Sequence, residues 1–445
     1  MRKQRFGIVL PIVLISYFMI LLDNSVVFTS TVKISHDLQM GPQALAWVST
    51  AYVLTFGGLQ LLGGRLGDIF GRRRLFLMGL GLFTVSSLAV GFSVNGPMII
   101  AMRAIQGIGS AVLAPTTLAL LLDNYQGKML QQGFNYYGMT AGLGSSLGLL
   151  IGGLIASLTS WRVGFLINVP VGVILFGLTL RYVKPGPATH HEALDIPGAL
   201  FSVLGIAGII YSINGEAYRL VALILGVLFL VLFVLQERRA VGPIMPLQLF
   251  RDPTRVGAYI TRFFIIGMCF SFLYLAPQLM QNLYHYTPLQ ASIATLLMSV
   301  PQFVFATQVG RLSKHLSAAK IVVLAAAISV VAMVWIALVG VQRGFWLSLA
   351  APLVLVGIGQ AFAMSPLTTL GVAHATPDIA GAASGVINTF HQTGQSIGLA
   401  VVVALTANIG AFAPAFNTAA VVLAGYAVVA LVAMLNVVRL ERRTH

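Results

Sequence analysis

Cysteine is almost missing from this chain: Cys269 is the single one in 445 residues. A disulfide framework and a cysteine-held metal site are therefore excluded. Charge is nearly as scarce. Asp, Glu, Lys and Arg together make up 8% of the sequence, and the acids number 11 against 26 bases. No Gly-Lys-Ser/Thr phosphate loop occurs, which removes ATP as an energy source. No nucleophile, base and orienting group assemble into a catalytic set, so an enzyme is not expected. Period-two alternation is lacking as well, which excludes a transmembrane barrel. His190, His191 and Glu192 stand together, but without a further ligand they read as a solvated linker, and neither a metal nor a cofactor is expected.

What the chain does have is apolar residues, 58% of the total, gathered in blocks of about twenty. Blocks of that length cross a bilayer as helices, so the fold class is an all-α polytopic membrane protein. About fourteen runs can be drawn: 6–31, 44–64, 75–92, 97–122, 133–157, 163–183, 194–213, 217–236, 257–283, 291–312, 321–341, 347–370, 380–409 and 418–438. With both termini on one side, twenty of the 26 Lys and Arg residues fall on that side. The excess marks it as cytoplasmic. The net charge of +15 is thus a topology signal and gives no reason to expect nucleic acid. GRLG at 64–67 returns as GRLS at 310–313, a weak repeat that suggests two halves. The expected organisation is a six-helix bundle at 1–185, two inserted helices and a cytoplasmic linker at 186–256, and a second six-helix bundle at 257–445. Repeated halves around a midplane site are how secondary transporters achieve alternating access.

One carboxylate, Asp23, interrupts the first run. A charge at that depth costs roughly 3 kcal/mol on insertion scales, so its default reading is functional. Asp23 lies roughly 12 Å, and Arg103 in the fourth run roughly 9 Å, from the same surface at the helical rise. Opposite charge at similar depth makes them a candidate buried pair. Asp23 is expected to hold in turn a proton, Arg103 or a cationic cargo, because it cannot stay ionised and unpaired in a low dielectric.

The most specific string is GGRLGDIFGRRR at 63–74. Its Leu66–Arg73 stretch resembles the loop between spans two and three of the major facilitator superfamily. The resemblance implies a cytoplasmic latch built from Gly64, Arg65, Gly67, Asp68 and Arg72, with Asp123 as the neighbouring acid. RAIQGIGSA at 103–111 is similar to the superfamily's span-four pattern, shifted by one residue. Gly144, Gly148, Gly152 and Gly153 form a small-residue face for close helix approach. The superfamily's exporters show a proline in this stretch where this chain has Leu149. LDNSVV at 22–27, AWVSTAY at 46–52, SWRVGFLINVPVG at 160–172 and GAASGVINTFHQTGQSIG at 381–398 resemble the fourteen-span drug:proton antiporter branch. That resemblance covers nearly the whole chain. It implies a single-chain exporter of small lipophilic drugs and dyes, coupled to protons, in a bacterial cytoplasmic membrane.

Candidate cavity residues are Asn24, Tyr52, Phe56, Gln106, Tyr136, Tyr274, Gln278, Gln281, Gln302, Gln360, Asn388, His391 and Gln392. The last three share one face of the thirteenth run. No acid stands in that run, which argues against dications and for a monocationic or neutral cargo. His391 reads either as a hydrogen-bonding wall residue or as a second protonation site. Arg262, near the inner end of the ninth run, can snorkel to the surface. Two other readings stay open: a dedicated exporter of one endogenous metabolite, amino acid or lipid, and a non-transporting membrane scaffold or sensor.

Overall fold

The structure, a computed structural model, describes residues 6–185, 195–215, 217–240, 242–376 and 379–444, without the side chains of 61, 68, 141–143, 145, 380–381 and 442–444. The described residues form helices and no strand. The long helices are α1 (Val9–Leu38), α2 (Pro42–Phe70), α3 (Arg72–Gly91), α4 (Gly96–Asn124), α5 (Gly127–Leu158), α6 (Trp161–Tyr182) and α7 (Ile196–Asn214). They continue with α8 (Arg219–Arg239), α9 (Pro253–Asn282), α10 (Pro288–Ala306), α11 (Ala318–Val339), α12 (Trp346–Gly371), α13 (Ala380–Thr406) and α14 (Phe412–Thr444). Eleven of these are long and apolar enough to cross a membrane. The other three, α2, α5 and α13, are helices of 29, 32 and 27 residues with a more polar, glycine-bearing sequence.

Local chemistry fixes the helix starts. Pro42, Pro97, Pro197, Pro253 and Pro288 occupy first turns, where a missing N–H costs nothing. Asn95 accepts a hydrogen bond from the Met98 N–H, and Thr287 with Gln290 forms a reciprocal capping box at α10. The connection between the insert and the second half is shorter than 237–256. Helix α8 runs to Arg239, and Asp252 caps α9 with hydrogen bonds from the Thr254 and Arg255 N–H groups at 2.8 and 3.0 Å. The run expected at 291–312 also breaks, at Ala306, before a single turn at Val309–Leu312.

Helices α1 to α6 pack on one another, as do α9 to α14; the second set has its own buried apolar core, and Phe270, Tyr274, Leu399 and Val403 of the second set join a core of the first. The sets meet along α2 against α13 and α5 against α10. Helices α7 and α8 pair together, and α7 lies in the groove between α2 and α13, where Ile210 joins Leu54 and Ala400. Helix α8 turns Leu220, Ile224, Leu228 and Val231 outward, as an element facing hydrocarbon does. The end of the molecule bearing the 63–74 loop is called the basic end below, and the other the far end.

Candidate functional site

A bilayer leaves no water for a polar side chain, so every buried polar group must find a partner inside the protein. In the first half one cluster meets most of that demand, leaving Arg103 Nη2 and Asn168 Oδ1 without a partner. Arg103 and Asp23, both without accessible surface, form an ion pair with Nη1 to Oδ2 at 2.5 Å. Arg103 Nη1 also donates to Gln106 Oε1 (2.7 Å), and its Nε donates to the Val48 carbonyl (3.0 Å). Gln106 Nε2 donates to Asp23 Oδ1 (2.7 Å) and to Ser87 Oγ (2.6 Å), and Asn168 Nδ2 donates to Asp23 Oδ1 (3.0 Å). The guanidinium carbon stands 4.2 Å from the Tyr52 ring centroid, a cation–π contact, and the Tyr52 hydroxyl lies 2.8 Å from Ser110 Oγ. Helices α1, α2, α3, α4 and α6 are thereby fastened at one point. Sequence reasoning missed Asn168 and Ser87. The signal was a lone Asn inside the apolar 163–183 run, a costly residue there unless it has a partner.

A cavity of about 350 Å³ lies between the halves. Its walls include Asn24, Ser25 and Phe28 from α1, Leu149 from α5, Gln302 from α10, Gln360 and Met364 from α12, and His391 and Gln395 from α13. Helix α9 contributes Ile266, Cys269, Phe270 and Leu273. A second pocket of about 500 Å³ at the far end is lined by His36, Tyr274, Gln278 and Asn282 among others. No carboxylate lines either space among the described residues.

The expected cavity set therefore divides. Asn24, Gln302, Gln360 and His391 line the central cavity, while Tyr274 and Gln278 line the far-end pocket. Tyr52 and Gln106 belong to the buried ion-pair cluster instead, and Phe56 leans on Tyr52 at 5.8 Å between centroids. Asn388 donates to Gln60 Oε1 (2.6 Å), and Gln392 packs over Gly57, so both serve the α2–α13 contact. Gln281 reaches the Thr29 carbonyl (3.4 Å). Tyr136, 45% exposed, sets its ring edge against Phe6 and lines neither space. Arg262 does not snorkel: its Nη1 donates to the Met364 carbonyl (3.1 Å) across to α12. Asp23 also departs from expectation. Asn24 and Ser25 face the cavity, but Asp23, one helical step away, points into the first half, so a cargo in the cavity does not touch it.

At the basic end, Arg72 is ion-paired with Asp123 and donates to the Ala119 carbonyl (3.2 Å). Arg65 reaches instead to the Gly242 carbonyl (2.8 Å), tying the loop to the α8–α9 connection. The side chain of Asp68 and the 190–192 cluster lie outside the described residues. Gly64 and Gly67 leave ordinary contact room for a Cβ, and the tight approach falls at Gly63, where a Cβ would sit 2.2 Å from the Ala111 carbonyl oxygen. Gly144, Gly148 and Gly152 take α5 against α1, where a Cβ would meet Leu21, Ser25 and Val26 at 2.7 to 2.9 Å. Gly153 faces the other half: a Cβ there would lie 2.0 Å from Ser292 Oγ and 2.8 Å from the Pro288 carbonyl oxygen of α10.

The sequence profile of the Major Facilitator Superfamily matches residues 13–399 and, a second time, 258–444. The chain belongs to the Major Facilitator Superfamily. It is a multi-pass membrane transporter of that superfamily and not an enzyme. Among its relatives, the cephamycin export protein CmcT of Amycolatopsis lactamdurans is 33% identical, over 88% of this chain and 83% of that one. The puromycin resistance protein pur8 of Streptomyces alboniger is also 33% identical, over 88% and 80%. The multidrug resistance protein Stp of Mycobacterium tuberculosis is 29% identical, over 86% and 73%. The nucleoside transporter NupG superimposes with a TM-score of 0.72 at 12% identity, covering 97% of this chain and 99% of that one. A peptide transporter POT in complex with sulfate gives 0.72 at 16% identity, over 98% and 95%. At those identities the structural likeness speaks for the superfamily fold alone.

Proposed function

We propose that this chain is a proton-coupled exporter of small lipophilic compounds, working as a single chain of fourteen spans with both termini in the cytoplasm of a bacterium. The relatives named for cephamycin export, puromycin resistance and multidrug resistance support the direction of transport. The observation that carries the coupling is the wholly buried Asp23–Arg103 pair, on a helix whose next residues line the cavity. A proton arriving at Asp23 removes the charge that holds Arg103 and loosens the junction of five helices. Helix α1 then shifts, and Asn24, Ser25 and Phe28 shift with it. Cargo and proton thus compete through the position of α1 rather than for one atom. The two six-helix sets rock about the α2–α13 and α5–α10 contacts, and the Arg72–Asp123 latch opens at the basic end.

The test uses inverted membrane vesicles energised by a pH gradient, with Asp23→Asn beside the wild type. Export appears as uptake, and the variant should bind cargo yet lose gradient-driven uptake. Undiminished uptake would refute the assignment. A narrower reading, one compound rather than many, is favoured by the relatives named for a single antibiotic, and a panel of chemically unrelated dyes separates the two.

A further inference from the structure

We infer that the central cavity is built for a largely apolar molecule carrying a single negative charge, received by Arg262. The inference rests on the export reading above and names its cargo class. On α9 the cavity-lining residues Ile266, Cys269, Phe270 and Leu273 follow Arg262 at steps of four, seven, eight and eleven, one helical face. Arg262 continues that face toward the basic end, and its hydrogen bond ends on the carbonyl of Met364, itself a lining residue. His391, on the neighbouring helix α13 that packs directly against α9, lines the same cavity.

The guanidinium is under-used. It has five N–H donors, and among the described residues its side chain makes one hydrogen bond, to a neutral carbonyl. Its Nε is buried and without a partner, and no ion pair among the described residues includes it. In the cavity wall, polar atoms are likewise unspent: His391 Nδ1, Gln360 Oε1 and Gln395 Oε1 make no hydrogen bond. A half-buried cation with no counter-ion among the described residues is costly to maintain, and a carboxylate or ionised phenol is the partner its planar fork fits. A cationic cargo would meet repulsion and no acid.

One anion leaving while one proton enters moves two positive charges inward, whereas a monocation exchanged for a proton moves none. Membrane potential should therefore drive the first exchange and leave the second untouched.

The experiment uses proteoliposomes of the full chain and three radiolabelled probes with one aromatic body: naphthylacetate, naphthylacetamide and naphthylmethylammonium. The wild type should favour the anion, and a potassium diffusion potential, negative inside a cell-like compartment, should speed that probe most, the neutral amide (one net charge inward) less, and the ammonium not at all. Arg262→Gln should cut naphthylacetate transport about tenfold or more, the scale of one lost charged hydrogen bond, and leave the amide within about twofold. Arg262→Lys should keep part of the anion's rate. Equal losses for all three probes would reduce Arg262 to a pin between α9 and α12 and overturn the proposal, as would a preference for the ammonium. The retained amide rate shows that the variant is folded. Asp23→Asn keeps the two readings apart: wild-type rates in that variant, with selectivity still set by Arg262, would sink the coupling alone. Movement of none of the three by the wild type would sink both.

Discussion

Each half sets an arginine within an apolar run, Arg103 fully buried and Arg262 half-buried, and the two are treated in opposite ways. Arg103 is enclosed by a carboxylate, an amide, a backbone carbonyl and an aromatic face, and has no accessible surface. Arg262 is anchored by one carbonyl beside a cavity and, among the described residues, is ion-paired with no acid. Each guanidinium leaves one buried nitrogen without a partner, Nη2 of Arg103 and Nε of Arg262, so what separates them is the counter-ion. A charge-paired arginine is a fastener, which protonation of its carboxylate would release, whereas a cation with no acid beside it among the described residues is suited, as a receptor would be, to a partner from outside. On the proposals above, the first half holds the ion-responsive element and the second half the charge that would meet cargo, with α1 running between them.

The largest effect that would break this contrast is on stability. Arg103→Ala leaves Asp23 buried without its partner and should cost about 3–5 kcal/mol. Arg262→Ala removes one hydrogen bond and strands no opposite charge, so about 1 kcal/mol is expected. Denaturation of the purified chain in detergent compares the two, and the double variant Asp23→Asn/Arg103→Gln should recover most of the first loss. Equal costs for the two alanine variants would remove the distinction between fastener and receptor.

Much of the first half could be read directly from residue types. A lone acid and a lone base at matching depth in apolar runs have few alternatives to each other, so Asp23 and Arg103 were findable. The glycine ladder of α5 was legible for the same reason, since only close packing rewards such a sequence. Which way a side chain faces was harder. Asn24 and Asp23 differ by one position, and a strongly apolar helix with polar groups on both sides gives no periodicity to tell the cavity side from the bundle side. Tyr52 and Gln106 were misassigned to the cavity on that account. The role of Arg262 was hidden by its place in the chain: near a helix end, an arginine can always reach the surface, and only the Met364 contact shows that it turns inward.

A smaller effect sharpens the contrast at the seam between the halves. Gly153→Ala would drive a Cβ into Ser292 and the backbone carbonyl of Pro288, whereas at Gly144 the nearest atom is the end of the flexible Leu21 side chain. Overpacking against backbone costs typically about 1–3 kcal/mol. Because α5 and α10 belong to different sets, the cost at Gly153 should fall on far-end closure, lowering turnover more than Tm. Gly144→Ala lies within one set and should leave turnover close to wild type. Transport rates and melting curves for the pair decide it, and parity in turnover would remove the seam from the mechanism.

The smallest effect concerns how each half is fastened at the basic end. The first half uses the Arg72–Asp123 pair; the second ties the start of α9 to the end of α12 through Asp252, whose Oδ2 meets His374 Nδ1 at 2.8 Å, and Arg255, whose Nη1 donates to the Ala373 carbonyl (3.1 Å). Burial pushes the Asp252 carboxyl up, but the Arg255 N–H, His374, the Thr254 N–H and the Arg255 charge together outweigh it and hold it below its ordinary value of 3.8. A carboxylate depressed in the folded state contributes stability that is complete above its unfolded value and fades as pH falls through the folded one. The acid limb of the melting profile below about pH 4 should therefore contain a step from Asp252. Asp252→Asn keeps a competent helix cap, so at pH 7 it should cost under about 1 kcal/mol, and the step should vanish. An unchanged acid limb would mean that the second half is held at this end by the cap and the arginine, with no contribution from the carboxylate's charge.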